Sequence, residues 1–329
     1  MPRSRPLPPE ISAGSAQPTT RRSAGSGIPV RRSTRRDVLK AAAGLVIAGS
    51  VIGRSGHSGQ AQSMDPYTFM RTMVATTQAG QRPGQPASGL MPVISDGVSW
   101  SAYIQQPIKE GQDFHFTCEF DSAWIILKSY GHDLDLQEQL AIVGHDLSIE
   151  PYWEDTASGT IVQGGDIAEM YSGDYDENVL ARATGNAVRK VFESVGLTVE
   201  VTPERPLIEA ALLRGEPVFF KSTVDFLDWK AATWVAPDGD EFPVVLTNDH
   251  ALVVMGFNEA DVIIRDPLGP TTTNRTRPWQ YRVSWERFLE VIAAQGNDAL
   301  AIGPAPVSAT NGRAINGDGT GGGTNVGES

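Results

Sequence analysis

One cysteine, Cys118, stands in a chain of 329 residues, and its neighbours are those a catalytic thiol requires. A lone cysteine closes no internal disulfide, so it serves either as a reactive thiol or as a small buried hydrophobe. From Phe120 onward the apolar residues Ala123, Trp124, Ile126, Leu127 and Tyr130 recur at spacings of three and four, and Gly131 follows where a C-terminal cap belongs. The pattern predicts an amphipathic helix with Cys118 at its N-terminus. First-turn amides and the helix dipole favour negative charge there, so the sequence predicts a thiol that ionises readily, with Glu119 only partly opposing it.

A thiol nucleophile needs a base, and the base needs a group that orients it. With His57 placed in a leader segment, His115, His132, His145 and His250 remain. Only His250 has suitable surroundings. It opens an apolar run through Phe257, followed by a polar turn at Asn258 to Asp261 and a second apolar run that ends at Asp266-Pro267. Read as a hairpin, this brings the start of one strand beside the end of the next, so that Asp266 can fix the tautomer and direction of the His250 ring. Gln112, six residues before Cys118, can direct its side-chain amide to the same point as the Cys118 backbone amide, forming an oxyanion hole.

In this order, Gln112 and Cys118, a helix closing in Tyr130-Gly131, His250 on a strand and Asp266-Pro267 after the next, the chain resembles the papain-like cysteine peptidases related to bacteriocin-leader (double-glycine) processing peptidases. The resemblance covers about Tyr103 to Pro304 and includes the helical Gly185 to Gly196 segment, Ile208 to Gly215, and the helix start at Val283 to Leu289. It implies a papain-like fold, with the nucleophile at a helix N-terminus packed on an antiparallel sheet that carries the histidine and aspartate. It also implies Cys118 as nucleophile, His250 as general base and acid, Asp266 as orienter and Gln112 as oxyanion donor, with no cofactor and no metal. The chain departs from the family at Glu119, where glycine is usual, and at Asp249, where a small residue precedes the histidine. Both departures add negative charge beside the thiol, which raises its pKa, narrows substrate choice or marks an inactive enzyme. The expected activity is hydrolysis of peptide or isopeptide bonds. Transglutaminase-like acyl transfer follows the same residue order, and a non-catalytic peptide-binding module on the same scaffold remains the alternative from another class.

The elements that must position these residues occupy 101–304, read as an α+β domain, mainly helical at first and mainly strands from Val218. Residues 62–100 read as a lead-in segment with one short helix candidate at Tyr67 to Thr76. Residues 305–329 are rich in Gly, Asn, Ser and Thr and read as a disordered tail. Residues 1–61 combine a basic, Pro- and Ser-rich leader with Arg35-Arg36, an apolar stretch from Ala41 to Gly53 and small residues to Ala61, the pattern of a twin-arginine signal peptide. The apolar stretch is short for a membrane span, so the mature form is expected outside the cytoplasm without one, after handling by the twin-arginine export machinery. That segment holds ten of the 27 Lys and Arg and two of the 39 Asp and Glu, which leaves 17 basic against 37 acidic residues, a net charge of −20. Such a surface argues against nucleic acid or anionic membrane as a partner and favours a peptide or protein substrate. An acidic group at Asp166, Glu169, Asp174, Asp176 and Glu177 lacks the spacing of a calcium loop, and the other histidines lack that of a zinc site.

Overall fold

Strands buried along their whole length, rather than at alternate residues, mark the centre of the fold. Val218–Thr223 is buried throughout, as is every residue of Asp249–Phe257 after the first, because helices cover both faces of the sheet that these strands build. The computed structural model describes residues 71–72, 80–88, 90, 92–95, 97–270 and 275–305. The signal segment of 1–61 and tail residues 306–329 lie outside the described residues. No helix among the described residues is long and apolar enough to cross a membrane.

The strands in chain order are β1 (Arg71–Thr72), β2 (Val93–Ser95), β3 (Val98–Trp100), β4 (Ala102–Tyr103), β5 (His145–Asp146), β6 (Tyr152–Thr156), β7 (Gly159–Gln163) and β8 (Tyr171–Ser172). After them come β9 (Thr198–Val201), β10 (Val218–Thr223), β11 (Ala231–Val235), β12 (Glu241–Val245), β13 (Asp249–Phe257), β14 (Asp261–Arg265), β15 (Gln280–Ser284) and β16 (Ala299–Gly303). Five helices accompany them among the described residues: α1 (Cys118–Ser129), α2 (Leu136–Val143), α3 (Gly185–Ser194), α4 (Arg205–Arg214) and α5 (Trp285–Ala294). The main sheet runs β1-β15-β14-β13-β10-β16-β9, with β4 also on β13, and all of its pairs are antiparallel.

Strand alternation sends Phe219, Ala251, Val253, Leu300 and Ile302 to the face covered by α1, α2 and α3. Phe220, Leu252, Val254, Ile264 and Ala301 face α4 and α5. At Gly256 the β13 ladder shifts register, and a Cβ there would sit 2.5 Å from the Ala102 carbonyl oxygen, so glycine is what lets β4 close on β13.

Three expectations need correction. The part before Val218 is not mainly helical: β6 and β7 form a hairpin that joins the β11–β12 hairpin in a second sheet, β12-β11-β7-β6, with β7 and β11 parallel. The β6–β7 turn is closed by Thr156 Oγ1 donating to the Gly159 carbonyl, 2.7 Å. In the Tyr67 to Thr76 helix candidate, Arg71 and Thr72 instead pair with β15 as a strand. The lead-in is also built into the body up to the boundary drawn at 101. Gln81 accepts from the Tyr103 amide and donates to the Leu212 carbonyl, while Trp100 is buried against Val93, Tyr103, Met255 and Ile263. Trp100→Ala is therefore expected to lower the unfolding free energy by about 3–5 kcal/mol. Urea denaturation followed by circular dichroism checks this; a loss below about 1 kcal/mol would make the lead-in dispensable to the core.

Candidate active site

Cys118 is the first residue of α1, and Ser122 one turn later donates to the Ala251 carbonyl at 2.7 Å, tying the helix start to β13. Thr117, the residue before the helix, gives its hydroxyl proton to Asp121 Oδ2 at 2.7 Å. Lys109 approaches the same carboxyl at 3.2 Å. Burial outweighs both and pushes the Asp121 carboxyl up to about 7.

The Cys118 side chain is 5% exposed, and its thiol donates to Glu119 Oε2 at 3.2 Å. The other oxygen of Glu119 accepts from Lys221 and, at 3.4 Å, from the Ala183 amide. Lys221 also donates to Asp249 Oδ2 at 3.0 Å, and Asp249 lies 3.9 Å from Arg182 Nε and accepts from Gln295 at 2.7 Å. Two buried carboxylates thus face two buried cations. Burial works against the Asp249 charge, but Arg182 and Lys221 outweigh it and hold that carboxyl at about 2. The same pairing, with Asp249 first and Glu119 next, overcomes burial to keep the Lys221 ammonium above the usual lysine range.

For the thiol the balance falls the other way. Burial first, then the charge of Glu119, pushes Cys118 well above the ordinary thiol range, with Lys221 offsetting only part. This reverses the readily ionised thiol expected from the helix end. A helix dipole contributes about 0.3–1 kcal/mol and at most about 2, which is small against the loss of water and an adjacent carboxylate.

His250 and Asp266 meet as the hairpin predicts, with Nε2 3.0 Å from Asp266 Oδ1. In the β13–β14 ladder Arg265 is opposite Val253, so the next residue, Asp266, falls diagonally across from His250 on the same face. Asp266 is fully engaged: Oδ1 also accepts from the Leu268 amide at 2.8 Å, and Oδ2 accepts from Arg277 and from the Tyr281 hydroxyl at 2.8 Å. Burial opposes its charge, but Arg277 and His250 hold Asp266 well below the usual carboxylate range. An ionised Asp266 can only accept, so the shared proton belongs to His250 Nε2. Arg277 is shared with Asp225, a non-glycine residue in the left-handed region at φ 55°.

Gln112, Cys118 and His250 line one cavity of about 300 Å³ at the end of β10 and β13, walled further by Val179, Leu246 and Leu268. Asn248, just before β13, turns the chain through φ 62° at its rim. The cavity collects three of the four residues singled out in the sequence, with Asp266 behind His250, but does not join Cys118 to His250: among the described residues the thiol's hydrogen bond goes to Glu119. The remaining histidines take other partners. His115 contacts Asp176 at 2.8 Å on the surface, and His145 bonds the Gly173 carbonyl at 2.9 Å. Among the described residues no group of three or more His, Cys, Asp or Glu side chains is arranged to hold a metal ion. Of the aromatic residues between α1 and Gly185, Tyr171 is core and Trp153 lies under Lys230 at 4.7 Å.

No family model matches the chain, and no curated protein matches it. A crystal structure from Bacillus anthracis, of a protein provisionally named a C39-like peptidase, is similar with 16% identity and a TM-score of 0.45, covering 60% of this chain and 93% of that one.

Because Cys118 is the sole cysteine, its alkylation by iodoacetamide can be followed by mass spectrometry without background. The rate should stay low at neutral pH and rise with a midpoint above the unperturbed ~8.5; a midpoint below 8 would contradict the burial and Glu119 argument. Arg277→Met leaves Asp225 and Asp266 buried without their shared cation, and should cost about 3–5 kcal/mol in chemical denaturation.

Proposed function

We propose that the chain is a papain-like cysteine peptidase that hydrolyses peptide or isopeptide bonds through a thioester. The observation that carries the reading is the His250–Asp266 hydrogen bond, which commits Nε2 and leaves Nδ1 to the cavity that Cys118 and Gln112 also line. The thiol proton passes to Nδ1 as sulfur attacks the substrate carbonyl, giving a tetrahedral oxyanion and an imidazolium paired with Asp266. Gln112 and the Cys118 amide donate to the oxyanion. The imidazolium then protonates the leaving amine as the carbon–nitrogen bond breaks. Water, losing a proton to His250, cleaves the thioester and regenerates the thiol. Export by the twin-arginine route belongs to the same proposal and is supported by the sequence of residues 33–61.

A second reading is favoured by one observation, the thiol's hydrogen bond to Glu119: a peptide-binding module that has kept the scaffold with an inert cysteine. Peptidyl electrophiles separate the two. The peptidase should gain one covalent adduct at Cys118 and release amine from a pooled peptide library. Both should be lost in Cys118→Ala and His250→Ala, and Gln112→Ala should lower kcat about 100- to 1000-fold. Folded wild-type protein that neither labels nor cleaves would leave the binding module. Diversion of the thioester to an added amine in preference to water would instead mark an acyl transferase. For export, Arg35→Lys with Arg36→Lys should hold the chain inside the cell; normal secretion of the double variant would remove that part of the proposal.

A further inference from the structure

Glu119 and Lys221 stand beside the reacting sulfur, yet the peptidase mechanism assigns them nothing. Glu119 is 1% exposed. Its Oε1 is occupied by Lys221 and the Ala183 amide, so Oε2 is turned to the thiol alone. Lys221 in turn is anchored on its far side by Asp249. A carboxylate offers no proton, so a hydrogen bond between these two groups exists only while the hydrogen stays on sulfur.

We propose that Glu119, clamped by Lys221, is the resting partner of the Cys118 thiol and keeps the nucleophile protonated until the sulfur turns from Glu119 toward His250 Nδ1. The inference rests on the peptidase reading for the second half of that motion, but the resting contact is independent of turnover. In activation the S–H bond breaks and an N–H bond forms at Nδ1. The neutral pair becomes thiolate and imidazolium, the imidazolium lies against Asp266, and no charge enters or leaves the site.

The charged and titratable groups around the sulfur are Glu119 from α1, Lys221 from β10, Asp249 from β13 and Tyr171 from β8, with His115 and His250 lining the same cavity, while Arg182 and Asp298 lie one step further out beside Asp249 and Lys221. Tyr171 is spent on the Phe116 carbonyl, and Asp249 is already neutralised by Arg182 and Lys221. Asp121, in the same helical turn, is directed to Thr117 and Lys109. Glu119 is therefore the acid in this set that both touches the thiol and carries a charge against its ionisation. Lys221 opposes that charge through space, and its anchoring to Asp249 keeps it in place if Glu119 is neutralised.

The test compares wild type with Glu119→Gln in the full chain, measuring iodoacetamide alkylation of Cys118 from pH 5 to 11 by mass spectrometry, with circular dichroism confirming the fold. Glutamine removes the charge and leaves Lys221 opposite the sulfur, so the midpoint should fall by at least one pH unit and the rate at pH 7 should rise about tenfold. An unchanged or higher midpoint overturns the proposal. Should the variant fail to fold, wild type labelled with carbon-13 at cysteine Cβ and glutamate Cδ gives the answer. The single Cβ resonance should titrate above the ordinary thiol range, and the Glu119 carboxyl resonance should move with it; a Cβ titration without that coupled movement overturns it. The outcomes are separable from the peptidase reading. A lowered Glu119→Gln midpoint in a protein inert to peptidyl electrophiles keeps the thiol partner and removes the enzyme, and the reverse pair keeps the enzyme and removes the partner.

Discussion

The Lys221 ammonium, buried between helix α1 and the main sheet, is the interaction on which the site depends. An ammonium withdrawn from water costs several kcal/mol unless opposite charge is brought to it, and here that charge comes from two elements at once, Glu119 at the start of α1 and Asp249 at the start of β13. The pairing fixes where the helix end sits against the sheet. It also accounts for acids both directly after Cys118 and directly before His250. Removing either acid alone would leave a buried cation under-compensated, so the two departures from the resembled family belong to one electrostatic unit.

A second unit of the same kind lies behind the histidine. Asp266 receives His250, Arg277, Tyr281 and the Leu268 amide, and Arg277 is balanced further by Asp225. The left-handed conformation of Asp225 costs on the order of 1 kcal/mol or more, and its buried ion pair with Arg277 helps to offset that cost. The imidazole is thus restrained through its Nε2 side by a chain of charges reaching into the fold. Ring orientation is set by the scaffold before any substrate arrives.

What the sequence made legible was whatever local order decides. The α1 helix follows from apolar spacing and Gly131, and the His250–Asp266 contact follows from a hairpin whose turn, Asn258 to Asp261, is short and polar. The β11–β12 hairpin turns at Pro237-Asp238-Gly239, residue types that mark a turn in any sequence. What remained hidden was set by distance along the chain. Lys221 lies 102 positions from Glu119 and Arg277 lies 52 from Asp225, and nothing near any of them announces a partner. The β6–β7 hairpin was not legible because β6 mixes aromatic and charged residues without alternation, and β7 offers only the adjacent apolar pair Ile161 and Val162. The state of the thiol was misread for a related reason: the helix end is visible in sequence, whereas the depth at which it is buried is not.

That depth changes what a cysteine site must do to react. In an exposed site the helix end and an imidazolium stabilise the thiolate in advance. In the proposed resting state the pair is neutral, with sulfur keeping its hydrogen toward Glu119. A neutral pair is compatible with a buried, largely apolar cavity walled by Val179, Leu246 and Leu268, where an unpaired ion would be costly. Under the proposed peptidase reading the Asp266 network would hold a stabilising charge ready for an imidazolium that forms only when the proton moves. The two buried charge units would then act in sequence, the Glu119–Lys221 pair on the resting thiol and the Asp266–Arg277 pair on the proton once it has left.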